Sequence, residues 1–551
     1  MKSKKLLALV VSAVMVLSLA ACGGDKGTEG EAAGTAYPGT ADEDTYVVDF
    51  RAEPPELNSL LTSDVTSGDV LRMVISGLYR LDENDQPVPD LAEKTDISDD
   101  GCTYTMKLRE DATWSNGEPV TAHDFVFAYQ TICNPKTGSV YAYIVYDNLL
   151  HGNEVYEGTM DPSELGVKAL DDYTLEVTFE NPLPYAEHLF SFASYYPLNE
   201  KAYNEIGADV YGDEADKIVT NGAYTISEWV HEDHITLTAN ENFYDPDRCA
   251  IKNVKYLMLK DSNARLNAFQ GGEVDVVNLT GDQMAQAKEL GIHTESYVDN
   301  SVWYLQYNLQ HKETGMDNVS IRKALMLAVD TKELCDNVLK DGSVPATGYV
   351  PTSINGGNGE LYRDTAGDII EPNVEEAKTL LEKGLEETGL TVEDLNKISL
   401  LTDDTDGARR TCQFLQEQWK ANLGIEVTIN QQPFKNRLDA MRTGNFDVVL
   451  AGWVPDYNDP MTYLDMFMTT NGNNYGKYSN EQYDSLLTQA MKESDFDERV
   501  SLLVQAEQLG IAEDVVVAPI YFQSTSYAVS DKVKNMTRTG FQEFDFTDIR
   551  E

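Results

Sequence analysis

The chain has 551 residues, more than one hydrophobic core usually supports, so we expect two or more domains. It carries 42 Lys and Arg against 93 Asp and Glu, and its net charge of −51 repels phosphate backbones, which argues against nucleic acid as a partner. Charged residues at 25% and hydrophobic residues at 42% are ordinary for a globular protein, so the acidity says little about the fold.

The amino terminus has the pattern of an export signal. Lysines precede an apolar stretch over residues 6–19, which is shorter than the roughly 20 residues that a membrane-spanning helix needs. Two alanines then precede Cys22, and this arrangement resembles the lipobox of bacterial lipoproteins. We expect residues 1–21 to be a signal peptide and Cys22 to carry a lipid anchor, since two acyl chains suffice for stable attachment. Residues 22–44, rich in Gly, Ala, Thr and Glu, predict a flexible linker.

Five further cysteines follow Cys22, and none of them forms a CxxC pair, which argues against a thiol redox motif or a zinc ribbon. Export into an oxidising space is compatible with one or two disulfides, and the odd count leaves at least one thiol unpaired. The pairing stays open. These cysteines are Cys102, Cys133, Cys249, Cys335 and Cys412.

The first half of the globular part mixes short strands with helices. Alternating side chains predict a half-buried strand over residues 103–108, and Thr121 followed by Asp124 predicts the start of a helix over residues 122–133. The other strands are predicted at 46–50, 172–179, 224–229 and 235–239, the last two as a hairpin, and the other helices at 70–78 and 263–269.

The second half has longer helices between strands, and this alternation implies α/β units. Helices are predicted at 320–329, 374–383, 407–423 and 434–442, and strands at 425–429 and 446–450. No second stretch is long and apolar enough to span a membrane.

Motifs of common enzyme classes fail on specific positions. Residues 472–477 imitate a phosphate-binding loop but are one residue short, and an EF-hand beginning at Thr402 would place Gln413 where a bidentate Glu is required. His231 and His234 are one residue too close for an HExxH metal motif and lie at a predicted hairpin turn. No GxSxG or GxGxxG sequence occurs. The sequence therefore predicts no catalytic residue, metal or cofactor, and we expect a protein that is not an enzyme.

Residues 451–460 follow the predicted strand 446–450 and read AGWVPDYNDP, which indicates a rigid loop. Trp453 lies three residues before Asp456, and an aromatic platform beside one carboxylate is suited to holding a cation, such as the ammonium of an amino acid or peptide. A Trp packed in the core beside a solvated turn Asp is the plainer alternative, which these residues taken alone favour.

Several phrases, read together and in order, resemble the solute-binding proteins of ABC importers, in the large family that contains the oligopeptide-binding lipoproteins. They extend over most of the globular part, which makes a chance match very improbable. These phrases are LAE at 91–93, WSNGEPVTAHDFVFAY at 114–129, NGAY at 221–224, GEVD at 272–275, IRKAL at 321–325 and GWVPDYNDP at 452–460.

The resemblance implies an α/β, two-lobed, periplasmic-binding-protein type II fold with an extra N-terminal subdomain, whose lobes close over a ligand. Residues 45–260 would form the N-terminal lobe, with the subdomain inserted at about 80–171. Residues 261–521 would form the second lobe, and residues 522–551 would return to the first.

The resemblance also assigns a binding site. Asp456 would receive the α-ammonium of a peptide, and the backbones around Trp453 and of Ser63 to Val65 would pair with the extended ligand as an added strand. Tyr141 and Phe434 would line the pocket, although ordinary packing is an equal alternative for both. The ligand-binding residues expected in this way are Gly452, Trp453, Val454, Asp456, Ser63, Val65, Tyr141, Phe434 and Lys340.

The chain departs from well-known members at four positions. Val454 and Trp303 stand where those members have a pair of cysteines, so that disulfide is absent. Leu450 and Ala408 replace basic residues that reach the carboxyl end of short peptides, and of such residues Lys340 alone remains. We therefore expect longer peptides, or ligands with a blocked or distant carboxyl end.

These observations predict a monomeric lipoprotein on the extracytoplasmic face of the cell membrane that captures peptides and delivers them to an ABC permease. The same fold also serves nickel-chelate and oligosaccharide binders, which remain an alternative. An extracellular peptidase is a weaker alternative, because no catalytic motif was found.

Overall fold

A computed structural model of the chain describes residues 37–50, 53–249, 251–259, 261–357, 360–534, 536–541 and 546. The predicted signal peptide, Cys22 and most of the predicted linker lie outside the described residues. Within the described ranges, no helix is both long enough and apolar enough to cross a membrane.

The strands of the described residues belong to three sheets. They are β1 Thr45–Asp49, β2 Tyr79–Leu81, β3 Pro87–Pro89, β4 Ala92–Ile97, β5 Thr103–Leu108, β6 Val167–Asp171, β7 Thr174–Thr178, β8 Tyr224–Val230, β9 His234–Ala239, β10 Asn253–Leu257, β11 Val276–Leu279, β12 Thr294–Tyr307, β13 Val344–Pro345, β14 Ser399–Asp403, β15 Thr428–Gln432, β16 Val448–Trp453 and β17 Val517–Val529. The largest sheet has 11 strands in the order β15-β14-β16-β12-β17-β11-β1-β10-β9-β8, with β13 added to β17.

Two long strands run through the centre of this sheet. β12 has 14 residues and β17 has 13, and they pair antiparallel with a register shift between Val298 and Val302. The carboxyl end of β17 pairs with β11, whereas the carboxyl-terminal half of β12 pairs with β16. The two strands therefore connect the first part of the chain with the second.

A separate sheet has four antiparallel strands in the order β4-β5-β7-β6. Three of them lie in the segment at about 80–171 where the resemblance places an extra subdomain, and β7, Thr174–Thr178, follows that segment directly. The predicted strand 103–108 coincides with β5, and its alternating burial matches the alternation in the sequence.

Helices lie between the strands, and most of those in the described residues fall in the second half of the chain. They are α1 Val65–Val74, α2 Ala122–Ile132, α3 Ala142–Tyr146, α4 Gly152–Tyr156, α5 Ala186–Leu189, α6 Glu200–Ile206, α7 Ser262–Gln270, α8 Gly281–Glu289, α9 Val319–Leu327, α10 Thr331–Glu333, α11 Tyr362–Ala366, α12 Val374–Thr388, α13 Val392–Leu395, α14 Asp406–Leu423, α15 Phe434–Thr443, α16 Met461–Leu464, α17 Glu481–Lys492 and α18 Phe496–Glu507. Short π-helical turns occur at Leu334–Leu339 and Gln508–Glu513, and 3-10 turns at Pro162–Glu164, Ala193–Tyr195, Ala215–Lys217, Pro246–Arg248, Lys312–Thr314 and Asp465–Phe467.

The central strands are buried on both faces, as β16 illustrates. Val448 and Leu450 pack into a core with α9, α12 and α14, whereas Val449 and Ala451 face a second, larger core. Because successive side chains of a strand point to opposite faces, a wholly apolar run of this kind indicates a central strand covered on both sides.

Three sequence predictions need corrected boundaries. The predicted strand 446–450 is displaced to Val448–Trp453, because pairing with β12 continues as far as Trp453. The predicted helix 70–78 is Val65–Val74, since the Asp64 carboxylate caps the Ser67 N–H and Ile75 is extended. The predicted strand 425–429 is Thr428–Gln432, which pairs with β14 in parallel.

All five cysteines beyond Cys22 have free thiols in the structure. The one or two disulfides that export made possible are therefore not formed. Burial raises the pKa of the Cys133 and Cys412 thiols, the latter to about 12, so these thiols stay protonated.

Candidate functional site

Asp456 lies in the loop that leaves the end of β16, and its side chain is half-buried. The Thr462 hydroxyl donates to Asp456 Oδ2 at 3.2 Å and accepts the Asp456 backbone N–H at 3.1 Å, which fixes the carboxylate against the start of α16. A second hydrogen bond comes from the Tyr141 hydroxyl. The carboxylate is thus held in one orientation by neutral donors.

Burial raises the pKa of Asp456 to about 7, although both hydrogen bonds act in the opposite direction. Among the described residues, no cationic side chain contributes to this pKa. A half-buried carboxylate without a cation gains most from a ligand that brings a positive charge. The surroundings of Asp456 are therefore those that suit a carboxylate which binds a cation.

Tyr141, expected to line the pocket, is buried and hydrogen-bonded to Asp456. Its ring stacks on Tyr143 at 5.8 Å and lies 5.9 Å from the ring of Phe192. Burial and the Asp456 carboxylate raise the pKa of Tyr141 well above its usual value, so its hydroxyl remains a donor. These rings form an aromatic wall behind the carboxylate.

The loop after Asp456 is anchored by a buried ion pair. Arg499 donates to both oxygens of Asp459, at 2.8 and 2.7 Å, and both side chains are almost fully buried. A bidentate pair of this kind holds a loop firmly. It fixes the segment that carries Asp456 to α18.

The backbone around Gly452 is open on one edge. β16 pairs with β12 up to Trp453, but the register between β14 and β16 ends at Leu401 and Val449. Beyond that point, in the part of the chain that the structure describes, β16 has a strand neighbour on one side alone. Such an edge can accept an additional extended chain through main-chain hydrogen bonds.

The side chains along this edge leave room for that chain. Gly452 is exposed and Val454 is 37% exposed. A Cβ added at Gly452 would lie 3.1 Å from the Trp303 ring, so glycine lets the indole pack against the strand. The indole Nε1 of Trp453 is buried and has no hydrogen-bond partner among the described residues.

Ser63 and Val65 lie in the segment that leads into α1. Asp64 between them has extended backbone angles, and Val65, which is 38% exposed, is the first residue of the helix. The Asp64 charge acts on Tyr141, so this segment lies near the aromatic wall. Extended backbone that could pair with a ligand therefore ends at Asp64, because the helix begins at Val65.

The other expected contacts are less closely joined to Asp456. Phe434 is the first residue of α15, is 44% exposed and lies over the Arg437 guanidinium at 5.1 Å. Lys340 is half-exposed with its ammonium 3.8 Å from Asp282, and none of its contacts in the described residues includes another expected site residue.

Three of the four departures occupy packed positions, and the fourth, Val454, is exposed. Leu450 is fully buried, and Ala408 lies on the buried face of α14 in the same core. Trp303 donates its indole N–H to Gln523 and stacks on Tyr521. The positions of Leu450, Ala408 and Trp303 are therefore filled by packed side chains.

Two residues that contact expected site residues were not predicted from the sequence. Thr462 lies six residues after Asp456, but nothing in the sequence shows that the loop folds back on itself. Arg437 lies three residues after Phe434 within a predicted helix, and this i, i+3 spacing was the available signal.

Residues 86–475 match the model of the bacterial extracellular solute-binding proteins, family 5 Middle. The chain belongs to this family. As a family 5 solute-binding protein, it is a member of a group of binding proteins rather than of enzymes. Its α/β fold is that of the periplasmic-binding-protein type II structures, as the sequence predicted.

Two relatives illustrate how complete the likeness is. The chain is 33% identical over 546 residues to the oligopeptide-binding protein OppA of Bacillus subtilis, and the alignment spans 97% of each chain. The structure of Listeria monocytogenes OppA bound to peptide gives a TM-score of 0.85 at 35% identity, covering 92% of this chain and 99% of the other.

Structures of the murein tripeptide-binding protein MppA differ in their likeness to this family 5 protein. One, from Escherichia coli, gives a TM-score of 0.82 at 25% identity over 92% of this chain and 97% of its own. The unliganded open form of MppA gives 0.63 at 25% identity, over 94% and 98%.

Proposed function

We propose that this protein is an exported lipoprotein that binds peptides between two lobes and delivers them to an ABC permease. The observation that carries the proposal is Asp456, a half-buried carboxylate held by neutral donors beside the open edge of β16. The peptide-binding names of its relatives support the same ligand class.

The α-ammonium of the peptide pairs with Asp456. A hydrogen bond to a charged group contributes about 1.5–3 kcal/mol, and loss of the partner leaves a half-buried charge uncompensated. The Tyr141 and Thr462 hydroxyls hold the carboxylate in one orientation while the ammonium binds. The amino end of the ligand is thereby fixed independently of its side chains.

The peptide backbone then extends β16 as an added strand along Gly452 to Val454. Main-chain hydrogen bonds provide affinity without reading side chains, which suits a protein that collects peptides of mixed sequence. The segment from Ser63 to Asp64 lies near the same aromatic wall and provides a second set of main-chain contacts with the peptide.

Lobe closure accompanies binding. The structure resembles the peptide-bound OppA far more closely than the unliganded open form of MppA, which supports a closed arrangement here. We assign residues 45–260 and 522–551 to the first lobe and residues 261–521 to the second, with β12 and β17 as the strands that cross between them.

Attachment rests on Cys22, which would carry a lipid at the start of the mature chain. Each buried methylene contributes about 0.8 kcal/mol, so two acyl chains hold the protein at the membrane. Residues 22–44 let the binding domain stand away from the lipid surface and meet the permease as a monomer.

The ligand class is tested by identifying what co-purifies. The protein is expressed in full, its closed form is isolated, and bound material is released by denaturation and analysed by mass spectrometry. Peptides with free amino ends are expected, and thermal-shift screening should show stabilisation by peptide mixtures alone. Stabilisation by oligosaccharides or nickel chelates, or cleavage of an added peptide, would contradict the proposal.

A further inference from the structure

Arg437 on α15 is a buried cation with incomplete partners. The residue is 5% exposed, and its Nε has no hydrogen-bond partner among the described residues. Its Nη1 donates to the sulfur of Met441 at 3.3 Å, which is a weak acceptor. Burial lowers the pKa of Arg437, so the charged group gains from any added acceptor.

The neighbouring carboxylate only partly compensates this charge. Asp403 Oδ2 lies 3.8 Å from Arg437 Nε, which exceeds hydrogen-bond length. The other oxygen of Asp403 accepts from the Thr405 hydroxyl at 2.8 Å, within the turn before α14. Asp403 is therefore held by its own turn, and the fork of the guanidinium lacks a matching anion.

The position of Arg437 connects it with the candidate site. Asp403 is the last residue of β14, and Arg437 beside it lies where β14 has already parted from β16. The Arg437 charge acts on Tyr475, and Tyr475 acts in turn on Tyr141 beside Asp456. Tyr475 thus interacts electrostatically with Arg437 and with Tyr141, the residue that donates to Asp456.

Hydrogen bonds continue this connection. The Tyr475 hydroxyl donates to Asn473 Oδ1 at 3.2 Å, and Asn473 Nδ2 donates to the Tyr143 hydroxyl at 3.3 Å. Tyr143 stacks on Tyr141. Hydrogen bonds and ring stacking therefore connect the aromatic wall behind Asp456 to Tyr475, which interacts electrostatically with Arg437.

We propose that Arg437 receives a carboxylate of the bound peptide while Asp456 receives its ammonium. This inference rests on the proposed function and adds a specificity residue to it. A guanidinium presents a planar fork that matches a carboxylate. The carboxylate belongs either to the carboxyl terminus of a short peptide or to an acidic side chain.

The inference revises the expectation drawn from the departures. Leu450 and Ala408 are packed in the core and present no charge, which suggested that carboxyl ends are not recognised. Arg437 supplies that charge from the neighbouring helix instead. The alternative role, in which Arg437 only pairs with Asp403 to hold α15, predicts no preference for acidic ligands.

The test measures calorimetric affinities of the ligand-free full protein for two matched pairs. The pairs are tri-alanine against its carboxyl-terminal amide, and Ala-Glu-Ala amide against Ala-Gln-Ala amide. We expect the protein to prefer the carboxylate in at least one pair by about tenfold, and Arg437→Gln to reduce that preference to about twofold or less. The pair that responds identifies the source of the carboxylate.

Two further variants separate recognition from folding. Lys435→Gln removes an exposed charge from the same helix and should leave the preference unchanged. Arg437→Lys keeps the charge without the fork and should retain part of the preference, with thermal unfolding confirming that each variant is folded.

Equal affinity within both pairs for the unmodified protein would overturn the inference and leave peptide binding itself intact. An equal loss for acid and amide in Arg437→Gln would also overturn it, since that result indicates a role in holding α15. Failure to bind any of the four tripeptides would overturn the inference, and failure of the peptide mixtures in the thermal-shift screen as well would contradict the proposed function.

Discussion

The fixed orientation and partial burial of the Asp456 carboxylate come from its contacts and not from the turn sequence around it. Asp in a loop rich in Pro and Asn is usually solvated, but here Thr462 and Tyr141 hold the carboxylate in a half-buried position. Neutral donors orient the group without neutralising it. Asp456 is therefore not the freely solvated turn Asp of the plainer interpretation.

The raised pKa of Asp456 predicts a pH-dependent affinity. Because the ligand ammonium binds the ionised carboxylate, affinity should rise as the pH increases from about 5.5 and level off above the Asp456 pKa of about 7. Above about pH 8 the α-amino group of the ligand loses its proton, and affinity should fall again. Calorimetry at constant ionic strength measures this profile.

An amino-acetylated peptide serves as the control, because it has no ammonium and should show no such rise. A free peptide whose affinity is constant between about pH 5.5 and 7.5 would show that Asp456 is not titrated by binding.

At the scale of the element, β16 is both a core strand and an exposed edge. Its first four residues are buried on both faces, and pairing with β14 then ends, so that the last two have one strand neighbour among the described residues. The apolar run predicted the buried part. The edge could not be predicted, because it depends on where a strand from elsewhere in the chain stops.

The open edge predicts that the ligand backbone matters more than its side chains. Methylation of one ligand amide that pairs with β16 should weaken binding by about 0.5–1.5 kcal/mol, or roughly 2- to 12-fold, since one hydrogen bond is lost. Exchanging an Ala side chain for Ser should change affinity less. A series of singly methylated tetra-alanines measured by calorimetry makes the comparison.

If methylation at every position left affinity unchanged while side-chain exchanges did not, side-chain pockets would determine binding, and strand addition to β16 would be wrong.

Local patterns explain which elements could be predicted. Thr121 and Asp124 predicted the start of α2, and the structure has the Thr121 N–H donating to the Asp124 carboxylate at 2.8 Å. The hydrogen bond between Tyr141 and Asp456 joins distant parts of the chain, so it could not be predicted from the local sequence around either residue. Resemblance indicated both residues as site residues but not their contact.

At the scale of the whole molecule, β12 and β17 link the two parts of the chain, and the proposed function requires the lobes to close over the peptide. The ligand-free protein should therefore be more open, and peptide should reduce its radius of gyration. Small-angle X-ray scattering with and without saturating peptide measures this change. An unchanged radius of gyration would contradict closure on binding.

The central claim is that Asp456 receives the ligand ammonium, and a double comparison tests it most directly. Affinities of the unmodified protein and of Asp456→Asn are measured by calorimetry for a free peptide and for its amino-acetylated form. Asp439→Asn, which removes an exposed carboxylate from α15, is the matched control. We predict that Asp456→Asn weakens the free peptide by about one to two orders of magnitude and scarcely affects the acetylated one. Equal affinity of both proteins for the free peptide would show that Asp456 does not bind the ligand ammonium.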